Sequence, residues 1–168
     1  MKNIFLIGMP SSGKTTLGKR IAEALHYRFV DTDKRIVREE GRTINDIFAQ
    51  SGESYFREAE RRVLCKIKPG SSLVVATGGG MPCFNDNMDY INATGISVFL
   101  DVPVAVLVQR MVAHAIDDRP LYNANDPELV RSLEQRYQSR LPYYSKAHVI
   151  VTGETNEEEV LQKVGALL

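Results

Sequence analysis

The chain lacks three features that would narrow its class at once: a disulfide framework, a long apolar run and an excess of charge of one sign. Its 168 residues include only two cysteines, Cys65 and Cys83, which are too few for a disulfide scaffold and favour a reducing compartment. The longest apolar run, Val104–Val108, is far shorter than the roughly 20 residues of a membrane span. The 21 basic residues balance 21 acidic ones, so no global basic field exists to gather nucleic acid or an anionic membrane.

The remaining composition is that of an ordinary globular domain. Hydrophobic residues make up 43% of the chain and charged residues 25%, which excludes wholesale disorder and suffices for a sizeable core. The apolar run near the N-terminus, Ile4–Ile7, is shorter than the apolar region of a signal peptide. We therefore expect one domain over residues 1–168, cytoplasmic and monomeric, with no nucleic-acid or membrane partner.

Short apolar runs alternate with segments of helical periodicity along the chain. The runs that predict strands are Ile4–Ile7, Phe29–Val30, Leu73–Ala76, Ile96–Leu100 and Val149–Val151. Strands separated by helices are typical of an α/β domain whose parallel sheet is covered on both faces. Ligands of such sheets bind at the carboxyl ends of the strands. Three polar clusters fall there, at residues 8–16, 31–33 and 77–80.

The C-terminal third contains a segment without sustained helical periodicity. Residues 112–125 are polar and turn-rich towards their end, so we expect a mobile lid. Asp126 and Pro127 are then typical of the start of a helix. Thr155 with Glu158 is predicted to cap the last helix.

The run from Gly8 to Thr15 matches the phosphate-binding pattern G-x-x-x-x-G-K-[ST], and it lies between a predicted strand and a predicted helix. Backbone N–H groups of such a loop cradle phosphate oxygens, and the helix N-terminus adds partial positive charge. Lys14 is expected to reach the β- and γ-phosphates, and the Thr15 hydroxyl to bind Mg²⁺. The predicted ATP-binding residues of the loop are Ser11, Ser12, Gly13, Lys14, Thr15 and Thr16.

Two classes of P-loop protein compete at this point: a GTPase-like switch and a small-molecule kinase. A GTPase normally carries an Asn-Lys-x-Asp motif, which is missing from the chain. It also carries Asp-x-x-Gly after the strand that here ends in Thr77–Gly80. The small-molecule kinase is therefore the favoured class.

Six landmarks, taken in order, resemble the shikimate kinase family along nearly the whole chain. They are the P-loop, Asp31-Thr32-Asp33, Phe56-Arg57 with Glu60, Gly78-Gly79-Gly80, Arg119-Pro120-Leu121, and Arg140 before Pro142 and Tyr143. The resemblance implies a three-layer α/β/α fold like that of nucleoside monophosphate kinases, with a five-stranded parallel sheet in the order 2-3-1-4-5. It places substrate-binding helices at about residues 33–62 and a mobile lid at about residues 112–125.

The activity that the resemblance implies is transfer of the γ-phosphoryl group of ATP to the 3-hydroxyl of shikimate. This reaction is a step in aromatic amino-acid (chorismate) biosynthesis. Mg²⁺ would accompany ATP as the cofactor. Another kinase of the same fold, specific for gluconate or a nucleotide, remains the alternative.

The resemblance also assigns the substrate site. Arg57 and Arg140 match the pair that binds the carboxylate, and arginine alone offers a planar bidentate fork. Asp33 matches the residue that binds the ring hydroxyls, and it is the candidate to orient or deprotonate the 3-hydroxyl. Gly79 offers a backbone N–H with no side chain in the way. Arg119 of the lid is assigned to the nucleotide, and it joins Asp33 and Lys14 as a catalytic candidate.

Further residues would support this site. Glu60, one turn after Arg57 on the same predicted helix, is placed to hold that arginine. Phe48 and Phe56, with Pro10, would form an apolar wall, and Gly78 and Gly80 would flank Gly79. Taken alone, Arg57 is more typical of an exposed helix arginine, and the two phenylalanines are more typical of a core than of a substrate wall.

The metal site has two candidate carboxylates. Asp101 follows the apolar run Ile96–Leu100, as a Walker B aspartate would. The resemblance instead assigns the metal to Thr15 directly and to Asp31 through a water molecule, and we follow it. Ser11 departs from the family, which usually has glycine there, and a positive φ at this position would strain the serine.

Overall fold

Five parallel strands form one sheet at the centre of the molecule. The computed structural model describes residues 1–118 and 126–168. Its strands are β1 (Asn3–Ile7), β2 (Arg28–Asp31), β3 (Leu73–Ala76), β4 (Gly95–Asp101) and β5 (Val149–Thr152). Its helices are α1 (Lys14–Leu25), α2 (Thr32–Glu40), α3 (Ile44–Cys65), α4 (Asn87–Thr94), α5 (Val104–Asp118), α6 (Pro127–Tyr144) and α7 (Glu157–Val164).

The strand order is β2-β3-β1-β4-β5, so the predicted order is confirmed. All four strand pairs are parallel. The register pairs Ala76 of β3 with Leu6 of β1 on one side and with Asp31 of β2 on the other. The carboxyl ends of these three strands therefore lie side by side, which brings the three predicted polar clusters together.

The sheet is buried on both faces. Successive residues of β1 point to opposite sides, so they pack against different helices. Phe5 and Ile7 join a core cluster with residues of α4, α5 and α6. Ile4 and Leu6 join a second cluster with residues of α1 and α7. Among the helices of the described residues, none combines the length and apolarity that crossing a bilayer requires.

A third, smaller core holds α2 against α3 and fixes the predicted substrate-binding helices. Its buried members are Ile36, Ile47, Phe56, Ala59 and Val63. The helix ends follow the sequence: Gly41 ends α2 with φ of 68°, and the Thr43 hydroxyl accepts a hydrogen bond from the Asp46 N–H at 3.1 Å. Helix α3 has a kink at Gly52, where φ is 82°.

Two sequence-based expectations about local structure are wrong. Helix α5 continues to Asp118, so residues 112–118 of the expected lid are helical. Val112 extends the apolar stripe of this helix, and alanine, which follows it, is the strongest helix former. The last helix is capped by Asn156, whose side chain accepts from the Glu159 N–H at 2.9 Å, while the Thr155 hydroxyl donates to the Glu159 carboxylate.

A glycine at the start of β4 sets the spacing between β1 and β4. A Cβ atom on Gly95 would lie 2.5 Å from the carbonyl oxygen of Asn3 and 2.9 Å from the Phe5 ring. We expect Gly95→Ala to lower the free energy of unfolding by about 1–3 kcal/mol, the usual cost of overpacking a core. Urea denaturation followed by circular dichroism measures this loss.

The matched control is Gly165→Ala, because no described atom lies within 4 Å of a Cβ there and the backbone is already helical. We expect this variant to match the parent chain or to gain about 0.4–1 kcal/mol from the unfolded state. Equal stabilities for the two variants would contradict the packing argument.

Candidate active site

The loop of residues 8–13 connects β1 to α1 in the shape of a phosphate cradle. Gly8 and Gly13 have φ of 147° and 96°, which side chains rarely tolerate. Ser11 has φ of 65°, so the serine lies in the left-handed region that the sequence analysis identified as a source of strain.

Lys14 folds back over this loop. Its ammonium group donates to the carbonyl oxygens of Gly8 at 2.7 Å and Met9 at 2.8 Å. The pKa of Lys14 is lowered to about 8, chiefly by burial and secondarily by the charge of Arg140, while the carboxylates of Asp33 and Asp31 act in the opposite direction. A phosphate at the loop would supply the negative charge that this buried ammonium lacks.

A cavity of about 520 Å³ opens beside the loop. All six predicted ATP-binding residues of the P-loop line it. Its lining also includes Arg110 and the turn after β5, residues 153–155. The turn was not among the predicted site residues. Arg110 donates to the Ser11 carbonyl at 3.1 Å and lies 3.7 Å from the Glu154 carboxylate. The turn lies at the carboxyl end of a strand, so the rule that located the other clusters could have located it too.

The two candidate metal carboxylates have different surroundings. The Thr15 hydroxyl donates to the Asp31 carboxylate at 3.3 Å, so the predicted metal-binding pair is adjacent. The other Asp31 oxygen caps α2 by accepting from the Lys34 N–H at 3.2 Å. Asp101 accepts a hydrogen bond from the Tyr137 hydroxyl at 2.9 Å, which ties β4 to α6.

Residues 78–80 form the turn after β3, and each of its three glycines lies against a charged side chain. A Cβ atom on Gly78 would lie 2.6 Å from Asp33 Oδ1 and 3.0 Å from Glu60 Oε2. One on Gly79 would lie 2.9 Å from Arg140 Nη1, and one on Gly80 would lie 2.5 Å from Arg57 Nη1. The four charged groups come from α2, α3 and α6, so this triglycine turn is where the predicted substrate site assembles.

Two buried hydroxyls hold the triglycine turn in place. The Gly78 N–H donates to the Thr32 hydroxyl at 2.9 Å, and the Gly79 carbonyl accepts from the Tyr144 hydroxyl. Both Thr32 and Tyr144 are fully buried. Neither residue was predicted to have a role, because their contacts depend on the fold and no motif indicates them.

Arg57 is held by two carboxylates of its own helix. Its Nη1 donates to Glu60 at 2.7 Å, which is the contact that the sequence predicted, and its Nη2 lies 3.3 Å from Glu53. The Arg57 side chain is 13% exposed and that of Glu60 is 1% exposed. This pair is therefore a buried one, and its geometry is fixed before any ligand binds.

Two buried polar atoms of this site lack a hydrogen-bond partner within the described parts of the chain: Glu60 Oε2 and Arg140 Nη1. An unpaired buried charged atom is costly and is a common sign of a ligand site. Arg140 offers a donor that suits a carboxylate, and Glu60 offers an acceptor that suits a hydroxyl. The cleft therefore matches a molecule that carries both groups.

The carboxyls of the cleft hold their protons more strongly than exposed ones. Burial raises the pKa of Asp33, and the Asp31 charge raises it further, against the opposing charges of Lys14 and Arg57. Burial raises the pKa of Glu60 to about 7, although the ion pair with Arg57 opposes this. A raised pKa suits a carboxylate that accepts a proton or a strong hydrogen bond from a hydroxyl.

The predicted apolar wall is divided between the core and the surface. Phe56 is buried in the small core between α2 and α3, whereas Phe48 is 38% exposed. Their ring centroids lie 4.9 Å apart. Pro10 approaches the turn, since a Cβ on Gly79 would lie 3.0 Å from its ring. Arg119 lies outside the described residues.

These features define a class of protein: a P-loop phosphotransferase with a cavity beside the loop and a cluster of charged side chains at the triglycine turn. The shikimate kinase family model matches residues 10–168. The chain therefore belongs to the shikimate kinase family.

Curated relatives agree with this assignment. A shikimate kinase of Clostridium botulinum strain 657 is 43% identical over 166 residues, which cover 99% of this chain and 96% of that protein. One from Phocaeicola vulgatus is 43% identical over 164 residues, which cover 96% of this chain and 93% of that protein.

Solved structures agree as well. Shikimate kinase from Bacteroides thetaiotaomicron is similar with a TM-score of 0.86 and 38% identity, covering 99% of this chain and 97% of its own. Shikimate kinase from Acinetobacter baumannii in complex with shikimate has a TM-score of 0.84 and 34% identity, with coverage of 99% and 92%.

The raised pKa of Glu60 predicts how stability depends on pH. The carboxyl has an ordinary pKa of 4.5 and a native pKa of about 7, so the native state binds more protons between these values. The Glu60 carboxyl therefore stabilises the native state fully below pH 4.5, and this stabilisation is lost as the pH rises towards 7. We expect Glu60→Gln to reduce the loss of unfolding free energy over this pH range by up to about 3 kcal/mol. Part of the pH dependence should remain, because the pKa of Asp33 is also raised.

Urea unfolding at a series of pH values measures this effect. Glu40→Gln is the control, because a hydrogen bond from Tyr55 lowers the pKa of Glu40, whose contribution is lost only at more acidic pH. Parallel stability curves for the parent chain and Glu60→Gln between pH 4.5 and 7 would contradict the prediction.

Proposed function

We propose that the chain transfers the γ-phosphoryl group of ATP to the 3-hydroxyl of shikimate, which yields shikimate 3-phosphate and ADP. The reaction belongs to aromatic amino-acid (chorismate) biosynthesis. The observation that carries the proposal is the acceptor site at the triglycine turn, where two arginines meet the buried carboxyl of Glu60 and the half-buried carboxyl of Asp33. Shikimate has the matching groups: one carboxylate and three hydroxyls on an apolar ring.

The two arginines bind the carboxylate of the acceptor. Arg57 is already fixed by Glu60, so it loses little freedom when the ligand arrives. Arg140 brings the donor that lacks a partner in the free cleft. Both guanidiniums can form charge-assisted pairs with a carboxylate, and an acceptor without this group would leave the Arg140 donor unpaired.

Asp33 orients the 3-hydroxyl and accepts its hydrogen bond. Its carboxyl lies at Gly78, and the charges of Lys14 and Arg57 are both close enough to influence its pKa. A hydroxyl held here faces the end of the P-loop where the γ-phosphate binds. Phosphoryl transfer leaves little covalent chemistry to the protein, so catalysis rests on this positioning and on the positive charge of Lys14.

The residues around Thr15 fit Mg²⁺, although no three acidic, histidine or cysteine side chains in the described parts of the chain form a metal-binding group. Mg²⁺ is commonly held by one or two carboxylates together with substrate phosphates. The Thr15 hydroxyl would bind it directly and Asp31 through water. The ion would neutralise charge on the β- and γ-phosphates when bound. Arg119 is proposed to complete the nucleotide site, on the family resemblance alone.

A coupled assay of ADP release tests the proposed function. Shikimate, gluconate and the nucleoside monophosphates are offered in turn, and we expect turnover with shikimate only. A gluconokinase from Sinorhizobium meliloti is similar in fold, with a TM-score of 0.50 at 18% identity, which makes gluconate the most informative competitor. Turnover with gluconate or a nucleotide, and none with shikimate, would refute the proposal.

Arg140→Lys tests the acceptor cleft within the same assay. Lysine keeps the charge but loses the fork, so we expect the KM for shikimate to rise by about 10- to 150-fold, the equivalent of one charge-assisted hydrogen bond. The KM for ATP should stay within about two-fold. Arg136→Lys, an exposed arginine one turn earlier on α6, is the control. If the two substitutions raised the KM for shikimate equally, the assignment of Arg140 to the acceptor site would be wrong.

The metal assignment gives a separate test. We expect Asp31→Asn to raise the Mg²⁺ concentration needed for half-maximal rate by about ten-fold, because the charge beside Thr15 is lost. Asp101→Asn should leave it unchanged, since Asp101 is engaged by Tyr137. A Mg²⁺ titration in which only Asp101→Asn is impaired would return the role to Asp101.

A further inference from the structure

Phe84 is a partly exposed aromatic residue with no role so far. Its side chain is 37% exposed, which makes it one of the few large apolar residues on the surface. The ring lies against the guanidinium of Arg57, with 4.0 Å between the guanidinium carbon and the ring centroid. The corresponding distance to the buried Phe56 ring is 5.3 Å, so Phe84 makes the closer contact.

The backbone around Phe84 is shaped to keep the ring there. Asn85 and Asp86 follow it with φ of 52° and 54°, two successive non-glycine residues in the left-handed region. This conformation costs energy and reverses the chain directly after Phe84. The Asn85 side chain donates to the Arg57 carbonyl at 3.4 Å, and the Asn87 N–H donates to the Phe84 carbonyl at 2.9 Å. The segment is therefore tied to the helix that carries Arg57.

The carboxylate neighbours of Arg57 constrain the edge of its guanidinium. Glu60 accepts from Nη1 and Glu53 lies at Nη2, so the carboxylates fix the group in its own plane. They do not cover its face, whereas an aromatic ring at 4.0 Å does. The ring also excludes water from the guanidinium, which strengthens any ion pair that the group forms.

We infer that Phe84 is a positioning residue for the acceptor: its ring holds the Arg57 guanidinium in the orientation that meets the substrate carboxylate. This inference rests on the proposed function. It makes Phe84 a determinant of affinity for the acceptor, with no contact to ATP and no part in the phosphoryl transfer itself.

A double-mutant cycle between Phe84 and Arg57 tests the inference, with shikimate affinity measured by calorimetry and by KM. We expect Phe84→Ala to weaken shikimate binding about 5- to 30-fold, the range of a partly desolvated cation–π contact. The KM for ATP and kcat should stay near those of the parent chain. In the Arg57→Ala background, Phe84→Ala should have no further effect, because the partner is gone.

Two further variants separate the aromatic face from simple bulk. Phe84→Leu keeps an apolar side chain without a π face and should behave like Phe84→Ala, whereas Phe84→Tyr should retain the parent affinity. Ile150→Ala truncates a similarly exposed apolar residue on β5 and is the control for general effects on the fold. Thermal unfolding of each variant confirms that it is folded.

The possible failures are distinguishable. If Arg57→Ala binds shikimate normally, the acceptor cleft of the proposed function is wrong, and the inference fails with it. If Arg57→Ala weakens binding but Phe84→Ala or Phe84→Leu does not, only the inference is overturned. An undiminished effect of Phe84→Ala in the Arg57→Ala background would equally overturn it.

Discussion

The active site depends on one steric constraint: the turn at residues 78–80 has no Cβ atoms. Side chains of Asp33, Glu60, Arg57 and Arg140 occupy the space that a methyl group on these glycines would fill. Opposite charges can therefore approach the backbone and one another closely enough to pair, and Glu60 Oε2 and Arg140 Nη1 are left without a partner among the described residues. Any side chain on the turn would displace a charge into a position without a partner, which is expensive inside a protein.

The parallel sheet explains why these groups meet at all. Strands β2, β3 and β1 pair in register, so their carboxyl ends lie at the same edge of the sheet. The P-loop, the Asp31–Asp33 segment and the triglycine turn therefore lie next to one another. Helix α6 supplies Arg140 from the other side, and the buried Tyr144 fastens that helix to the turn through the Gly79 carbonyl. The proposed nucleotide and acceptor sites thus both border the P-loop, as a direct phosphoryl transfer requires.

Much of this arrangement was predictable from the sequence, because its signals are local. The P-loop, the five apolar runs and the Thr43 cap each depend on residues close in the chain. The strand order and the residue roles came from the family resemblance, since no local pattern encodes which strands pair. Thr32, Tyr144 and Phe84 escaped prediction because their contacts join distant segments. The continuation of α5 to Asp118 was missed because the polar end of the segment outweighed its helix-forming residues.

The central claim is that one cleft at the triglycine turn binds the carboxylate and the reacting hydroxyl of the acceptor at the same time. A crystal structure of the chain with shikimate and a non-hydrolysable ATP analogue tests this most directly. The account predicts the shikimate carboxylate between Arg57 and Arg140, and the 3-hydroxyl within hydrogen-bond distance of Asp33 and in line with the γ-phosphorus. Shikimate bound with its carboxylate away from both arginines, or at a site remote from Gly79, would contradict it.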